Sequence, residues 1–255
     1  IGEDRLRILR FFRFNAEYGH GAPDRSGLAA CVAARSAIRS LSGERVRAEL
    51  LRLLAAPRAP AMLAVMADTA ILPEVLGLDA EVGPLAALAA LEQTLGRAPD
   101  PLLRLASLLP PAADQAPPAA IGLADRLRLS LEEQRRLTAA TAGPPFDRPV
   151  TAPDAVDIAL YRLGPAPLAD RLLLDWARAA DPPDHPARTA TLQAAARRPV
   201  PVMPVRGADV LALGVPPGPR VGRILAAFET WWLNSGLPQD LSAARRRLAT
   251  LAAIN

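Results

Sequence analysis

Apolar positions recur at helical spacing along most of the chain. In the opening stretch "IGEDRLRILRFFRFNAEYG", a turn of about 100° per residue places Ile8, Leu9, Phe12 and Ala16 on one side. Glu3, Arg7, Arg10, Arg13 and Glu17 fall opposite them, and Phe11, four residues after Arg7, sets a ring beside the arginines. "GHGAPDRSG" is a turn-rich break that ends where Asp24 can begin the next helix, and 29–38 reads as a short helix. "LSGERVRAELLRLLAAP" then spaces Val46, Leu50, Leu53 and Leu54 at i, i+4, i+7 and i+8, with Ser42 as its expected N-cap and Pro57 as its stop. "APAMLAVMADTAILPEVLG" and "PLAALAALEQTLG" follow as helices stopped by Gly or Pro.

From Pro99 onward the pattern is helix, breaker, helix. Double prolines at 110–111, 117–118, 144–145, 182–183 and 216–217 each forbid a continuing helix. The segment 180–207, rich in Pro and short side chains, is the expected linker. The longest alternating stretch, "VPVMPV", carries prolines that a central strand does not accept. No fixed-period self-similarity supports a repeat solenoid. The expected fold class is all-α.

Composition agrees with packed helices. Hydrophobic residues make up 51% of the 255 but aromatics only 4%, so Ala, Leu and Val must fill the interior, whereas strands draw on β-branched and aromatic residues. There is no lysine, and all 30 basic residues are arginine, with a formal charge of only +4. That excess permits a polyanionic partner without requiring one, and base composition of the genome is the simpler account of it. Cys31, the single cysteine, sits among small apolar residues as a core thiol, which excludes an intramolecular disulfide and a cysteine cluster. Two histidines, His20 and His185, give little support to zinc or histidine-based nucleophile chemistry. No apolar run reaches the roughly 18 residues of a membrane span and no signal-peptide pattern opens the chain, so a cytoplasmic protein without a membrane partner is expected.

The opening helix holds the first candidate chemistry. Asp4 and Arg7 are three apart and can lie side by side, a carboxylate and a guanidinium presenting paired acceptors and donors. Such an edge can hydrogen-bond a nucleobase, with about 1–3 kcal/mol of discrimination for a good bidentate pair. Arg10 and Arg13 could neutralise phosphates. The same residues also fit an ordinary helix start with ion pairs on a solvated face.

"EDRLRILRFFRFNAEYG" resembles the neck of class II CCA-adding tRNA nucleotidyltransferases and the related bacterial poly(A) polymerases. In that family a Glu-Asp-x-x-Arg motif reads the incoming base. The resemblance implies that Asp4 and Arg7 pair with the Watson–Crick edge of CTP or ATP, that Glu3 orients Arg7, and that Arg10 and Arg13 complete the nucleotide site. "LSGERVRAELLRLLAAP" resembles the next neck motif, Ser-x-x-Arg-x-x-x-Glu, which implies a supporting role for Ser42, Arg45 and Glu49. Arg45 and Glu49 equally fit a plain i, i+4 helix pair. "MLAVMADTAILPEVLG" is similar to the segment after the neck. "DPLLRLASLLPP" falls where some relatives carry a His-Asp phosphohydrolase signature that is missing here, so no such activity is expected.

Near the far end, "GADVLALGVPPGPRVGRILAAFETWWLNSG" reads as helix, tight turn, helix. Gly214 and Gly218 supply the turn, Pro219 suits a first helical turn, and Val221, Ile224, Leu225, Phe228, Trp231 and Trp232 form an apolar stripe. The turn resembles a helix-hairpin-helix, which grips a nucleic-acid phosphate with backbone N–H groups, here with Gly218, Arg220 and Arg223. A simple packed αα-hairpin fits the same residues. "SAARRRLATL" reads as a solvated helix face.

The resemblance implies three parts: a neck at 1–57, a helical body at 58–198 and a tail at 199–255. It also implies that the chain is a fragment whose catalytic α/β head, with its magnesium-binding Asp-x-Asp pair and Gly-rich loop, would precede Ile1. The expected function is then base selection and tRNA binding within an enzyme that adds CCA to tRNA 3′ ends from CTP and ATP, inactive as this chain alone. The partners are the tRNA 3′ end, CTP and ATP. A bacterial poly(A) polymerase and a non-catalytic helical RNA-binding or scaffold protein remain the alternatives.

Overall fold

The computed structural model describes residues 5–110, 112, 118–142 and 153–254. The described residues are helical, with no strand among them. The helices are α1 (Arg7–Tyr18), α2 (Arg25–Ala33), α3 (Gly43–Ala55), α4 (Ala59–Asp68), α5 (Leu72–Leu76), α6 (Gly83–Thr94), α7 (Pro101–Ser107) and α8 (Pro118–Leu127). They continue with α9 (Leu131–Thr141), α10 (Pro153–Leu163), α11 (Pro165–Ala179), α12 (Pro186–Arg197), α13 (Gly207–Leu211), α14 (Pro219–Asn234) and α15 (Leu241–Ile254). A 3₁₀ helix, Arg35–Ser40, joins α2 to α3.

Proline starts several of these helices as well as following the ends of others. Pro101, Pro165, Pro186 and Pro219 each occupy a first helical position, where the missing N–H has no intrahelical partner to lose and the fixed φ is already helical. This corrects the expected linker at 180–207, which contains α12 from Pro186 onward. The stretch 29–38 is likewise not one helix: α2 ends at Ala33 and a 3₁₀ helix begins at Arg35. Asp24 caps α2 as expected, its Oδ2 accepting from the Gly27 N–H at 2.7 Å. Ser42 stands at the N-cap position of α3, but its hydroxyl makes no capping hydrogen bond.

The described residues group into two compact units, one of 1–148 with 169–189 and the other of 149–168 with 190–255. The first unit holds 1–57 and most of 58–198. Its core is built from fully buried Ile8, Leu9, Phe12 and Ala16 of α1, Leu50, Leu53 and Leu54 of α3, Leu63 and Met66 of α4, and Leu85 and Leu88 of α6. Cys31 is buried here, and that burial pushes its thiol pKa up, in keeping with an inert core residue.

The second unit centres on Val210, Ile224, Phe228 and Trp232, closed by Ala244, Leu248 and Leu251 of α15. Tyr161 of α10 meets Trp232 edge-on at 5.0 Å between centroids, and the indole N–H donates to the Pro238 carbonyl at 3.0 Å. The Tyr161 hydroxyl donates to Glu229 at 2.7 Å, and burial together with that carboxylate pushes its pKa up to about 12.

Asp100 ties three helices of the first unit. Its Oδ1 caps α7 by accepting from the N–H groups of Leu102 and Leu103, both at 3.1 Å. Arg136 of α9 bridges it to Asp170 of α11, reached by the guanidinium Nε at 2.7 Å. Burial alone would raise the Asp100 pKa, but Arg136 and the two amides outweigh it and hold the carboxyl below its ordinary value. The unfolded chain therefore binds a proton at Asp100 first, so this contribution is present above about pH 4 and lost as pH falls through the lower folded pKa. In Asp100→Asn the unfolding midpoint is expected to fall less steeply between about pH 5 and pH 3 than in the parent. Equal slopes in thermal melts across that range would remove Asp100 from the acid response.

Candidate nucleic-acid interface

α1 is amphipathic and packs most extensively on α3. With Ile8, Leu9, Phe12 and Ala16 turned inward, Arg7 and Arg10 are left exposed. Glu3 and Asp4, the acidic half of the candidate base-reading motif, lie outside the described residues. Arg5, just before α1, donates to Ser40 Oγ at 2.6 Å and links the start of α1 to the 3₁₀ helix.

Arg13 departs from the expected solvated face. It is only 8% exposed, with Nε donating to Glu49 at 2.7 Å and Nη1 to Glu17 at 2.8 Å. The helix geometry explains why. At about 100° per residue, Arg13 lies about 60° from Ala16 and about 120° from Arg7, so it flanks the core rather than opposing it. Burial acts to lower its pKa, and the hydrogen bonds and charges of Glu49 and Glu17 outweigh that and raise it. Glu49 is itself buried, so α1 and α3 are joined by a largely desolvated ion pair. Of the other candidate supporting residues, Ser42 and Arg45 are exposed near the start of α3.

Phe11 is covered too. A Cβ on Gly27 of α2 would come within 2.7 Å of the ring, so only glycine lets α2 approach this closely. The ring also meets Phe12 edge-on at 5.3 Å. The aromatics that α1 does present are Phe14 and Tyr18, 42% and 72% exposed and stacked at 6.2 Å. Neither was among the candidates from sequence, although they continue the Arg7 stripe at i+7 and i+11. Arg58 closes the far end of α1, donating to the carbonyls of Asn15 and Gly21.

In the second unit, α13, the turn at 212–218 and α14 form the helix–turn–helix expected. Gly214 has φ 82° and Gly218 φ 148°, angles that L side chains rarely adopt, and Pro219 opens α14 directly after. Arg223 is exposed, whereas Arg220 donates from Nη2 to the Ala252 carbonyl at 3.0 Å and secures the end of α15. Among the described residues no three His, Cys, Asp or Glu side chains come together to hold a metal. No described helix is long and apolar enough to cross a membrane.

Residues 24–78, from the Asp24 cap through α5, match the family described as "Probable RNA and SrmB-binding site of polymerase A". The all-helical fold of the chain is shared with the helical part of a solved CCA-adding enzyme. Among solved structures, the chain resembles the CCA-adding enzyme of Bacillus stearothermophilus in complex with CTP, at a TM-score of 0.59 and 22% identity. The match covers 92% of this chain and 58% of that one, so the chain spans little more than half the length of its structural relative. No curated protein is a significant match in sequence.

The buried pair makes a direct prediction. Glu49→Ala leaves the Arg13 guanidinium desolvated without its main partner and is expected to cost about 3 kcal/mol in denaturant titrations. Replacing both residues, as Arg13→Met with Glu49→Leu, is expected to recover much of that loss. A single-variant loss below about 0.5 kcal/mol, the range of ordinary surface changes, would show that the pair does not hold α1 on α3.

Proposed function

We propose that this chain is the base-selecting and tRNA-binding portion of a template-independent nucleotidyltransferase that adds CCA to tRNA 3′ ends from CTP and ATP. The observation that carries the reading is α1: a helix mounted on α3 through Arg13 and Glu49, with Arg7 and Arg10 left exposed. With Glu3 and Asp4 immediately before it, Arg7 would present the mixed carboxylate–guanidinium edge that a pyrimidine or adenine Watson–Crick face accepts. Arg10 would sit against the triphosphate. Arg13, Glu49, Ser42 and Arg45 would act behind this surface as positioning residues.

The match over residues 24–78 to a polymerase A RNA-binding family and the fold shared with a CCA-adding enzyme support RNA as the macromolecular partner. Gly218, at the exposed turn before α14, and Arg223, early in α14, would add a phosphate contact; Arg220 would shape that turn through α15. Metal-assisted transfer to the 3′-hydroxyl would be the work of residues outside this chain. The polymerase A family match also favours one further reading, a poly(A) polymerase built on the same helical frame.

The test uses the whole open reading frame that encodes this chain, given tRNA ending at the discriminator base with CTP and ATP separately and together. Ordered addition of C, C and A is expected. Arg7→Ala is expected to lose roughly 10-fold or more in base discrimination while retaining tRNA binding. The 255-residue chain alone is expected to bind tRNA and add nothing. Long tails from ATP on unstructured RNA would select the polymerase reading, and unchanged base choice in Arg7→Ala would return Arg7 to an ordinary surface charge.

A further inference from the structure

The exposed face of α1 does not end with Arg10. Phe14 and Tyr18 lie within about 40° of Arg7 around the helix, so the four side chains form one stripe running from Arg7 to Tyr18, about 16 Å along the axis. Its second half is aromatic. The Phe14 and Tyr18 rings are stacked at 6.2 Å with 29° between their planes, and both are open to solvent. The Arg13 guanidinium lies 4.2 Å from the Phe14 centroid and that of Arg10 lies 5.8 Å from it. Glu17, the one acidic residue of α1, is held by Arg13. Single exposed aromatics are common on protein surfaces, but a stacked pair bracketed by guanidinium groups is a specific chemistry.

We propose that Phe14 and Tyr18, with Arg10, form a stacking platform for unpaired bases of a single-stranded RNA 3′ end. This rests on the RNA-binding reading above and adds to it a second contact, two to three helical turns beyond the base-reading position. Single strands expose both a π-face and a phosphate chain, and aromatic rings beside cations take up both. A duplex hides its base faces, and an apolar protein surface would find no aliphatic neighbour on this stripe, only arginine. Arg13 pre-orients Phe14 from one side, so the ring does not have to be ordered on binding. Arg58, half-buried and clamped to the carbonyls of Asn15 and Gly21, adds a third cation where the stripe ends.

The experiment measures binding of the 255-residue chain to a labelled eight-nucleotide oligo(A), to an abasic strand of the same length and to a blunt RNA duplex. The parent is expected to prefer oligo(A) over both. Phe14→Ala with Tyr18→Ala is expected to bind oligo(A) roughly 10- to 100-fold more weakly, with little change on the abasic strand or the duplex. Phe14→Trp with Tyr18→Phe keeps the rings and is expected to keep the preference, which separates loss of stacking from loss of fold. Unchanged oligo(A) binding by the alanine variant, with RNA still bound, would overturn the platform alone and point to another protein surface as its cover. No binding of any of these RNAs or of tRNA by the parent would overturn the RNA-binding reading and the platform together.

Discussion

The Arg13–Glu49 pair sets the rotation of α1 about its own axis, and what α1 offers to solvent follows from that rotation. Ile8, Leu9, Phe12 and Ala16 would permit a range of orientations on the α3 surface, because apolar contact is not directional. A desolvated guanidinium and carboxylate at 2.7 Å narrow that range, since moving apart would strand two buried charges. With Arg13 drawn in, Arg7, Arg10, Phe14 and Tyr18 are turned out. Gly27 adds a second stop, because the Phe11 ring rests where any larger residue would have a Cβ.

The same chemistry recurs through the first unit. Arg104 is buried and meets Glu92 on α6 at 2.7 Å, while its Nη1 donates to the carbonyls of Leu54 and Ala56 at the end of α3. Arg126 of α8 donates to the Val75 carbonyl at 2.7 Å, and Arg178 of α11 to that of Leu109 at 3.1 Å. A helix C-terminus leaves carbonyls without intrahelical donors, and a planar fork of N–H groups can serve two at once. Many of the 30 arginines are therefore fastenings between helices, not a basic surface. This is why a formal charge of +4 said little about a partner, and why the exposed arginines of α1 carry more meaning than their number suggests.

Helix periodicity was legible because this interior is aliphatic: Leu50, Leu53 and Leu54, or Ile224 and Phe228, are buried where their spacing puts them. Proline was less legible, because Pro186 reads as a breaker in sequence and opens α12 in the structure; the residue type suits both ends of a helix. Ser42 shows a related limit, with cap backbone geometry and no side-chain cap. At the candidate interface, Arg7 and Arg10 were placed correctly as outward. Arg13 and Phe11 were not: the projection already sets Arg13 beside the core, but the groups that cover it and Phe11, Glu49 and Gly27, come from other helices. Phe14 and Tyr18 could have been found by extending the Arg7 stripe two to three turns.

A surface that discriminates between bases has to hold its donors and acceptors still, because a displaced edge binds the wrong base nearly as well. On the proposed reading, that stillness cannot come from Arg7 itself, a long exposed side chain with many rotamers. It has to come from the mount beneath: α1 locked to α3 by a buried pair, α3 locked at its other end by Arg104, and the end of α1 closed by Arg58. Such a mount confines freedom to the few side chains that meet the ligand. It also accounts for the cost of burying charge at Arg13, because a hydrophobic pair of equal volume would hold the helices together without fixing which face of α1 is turned outward.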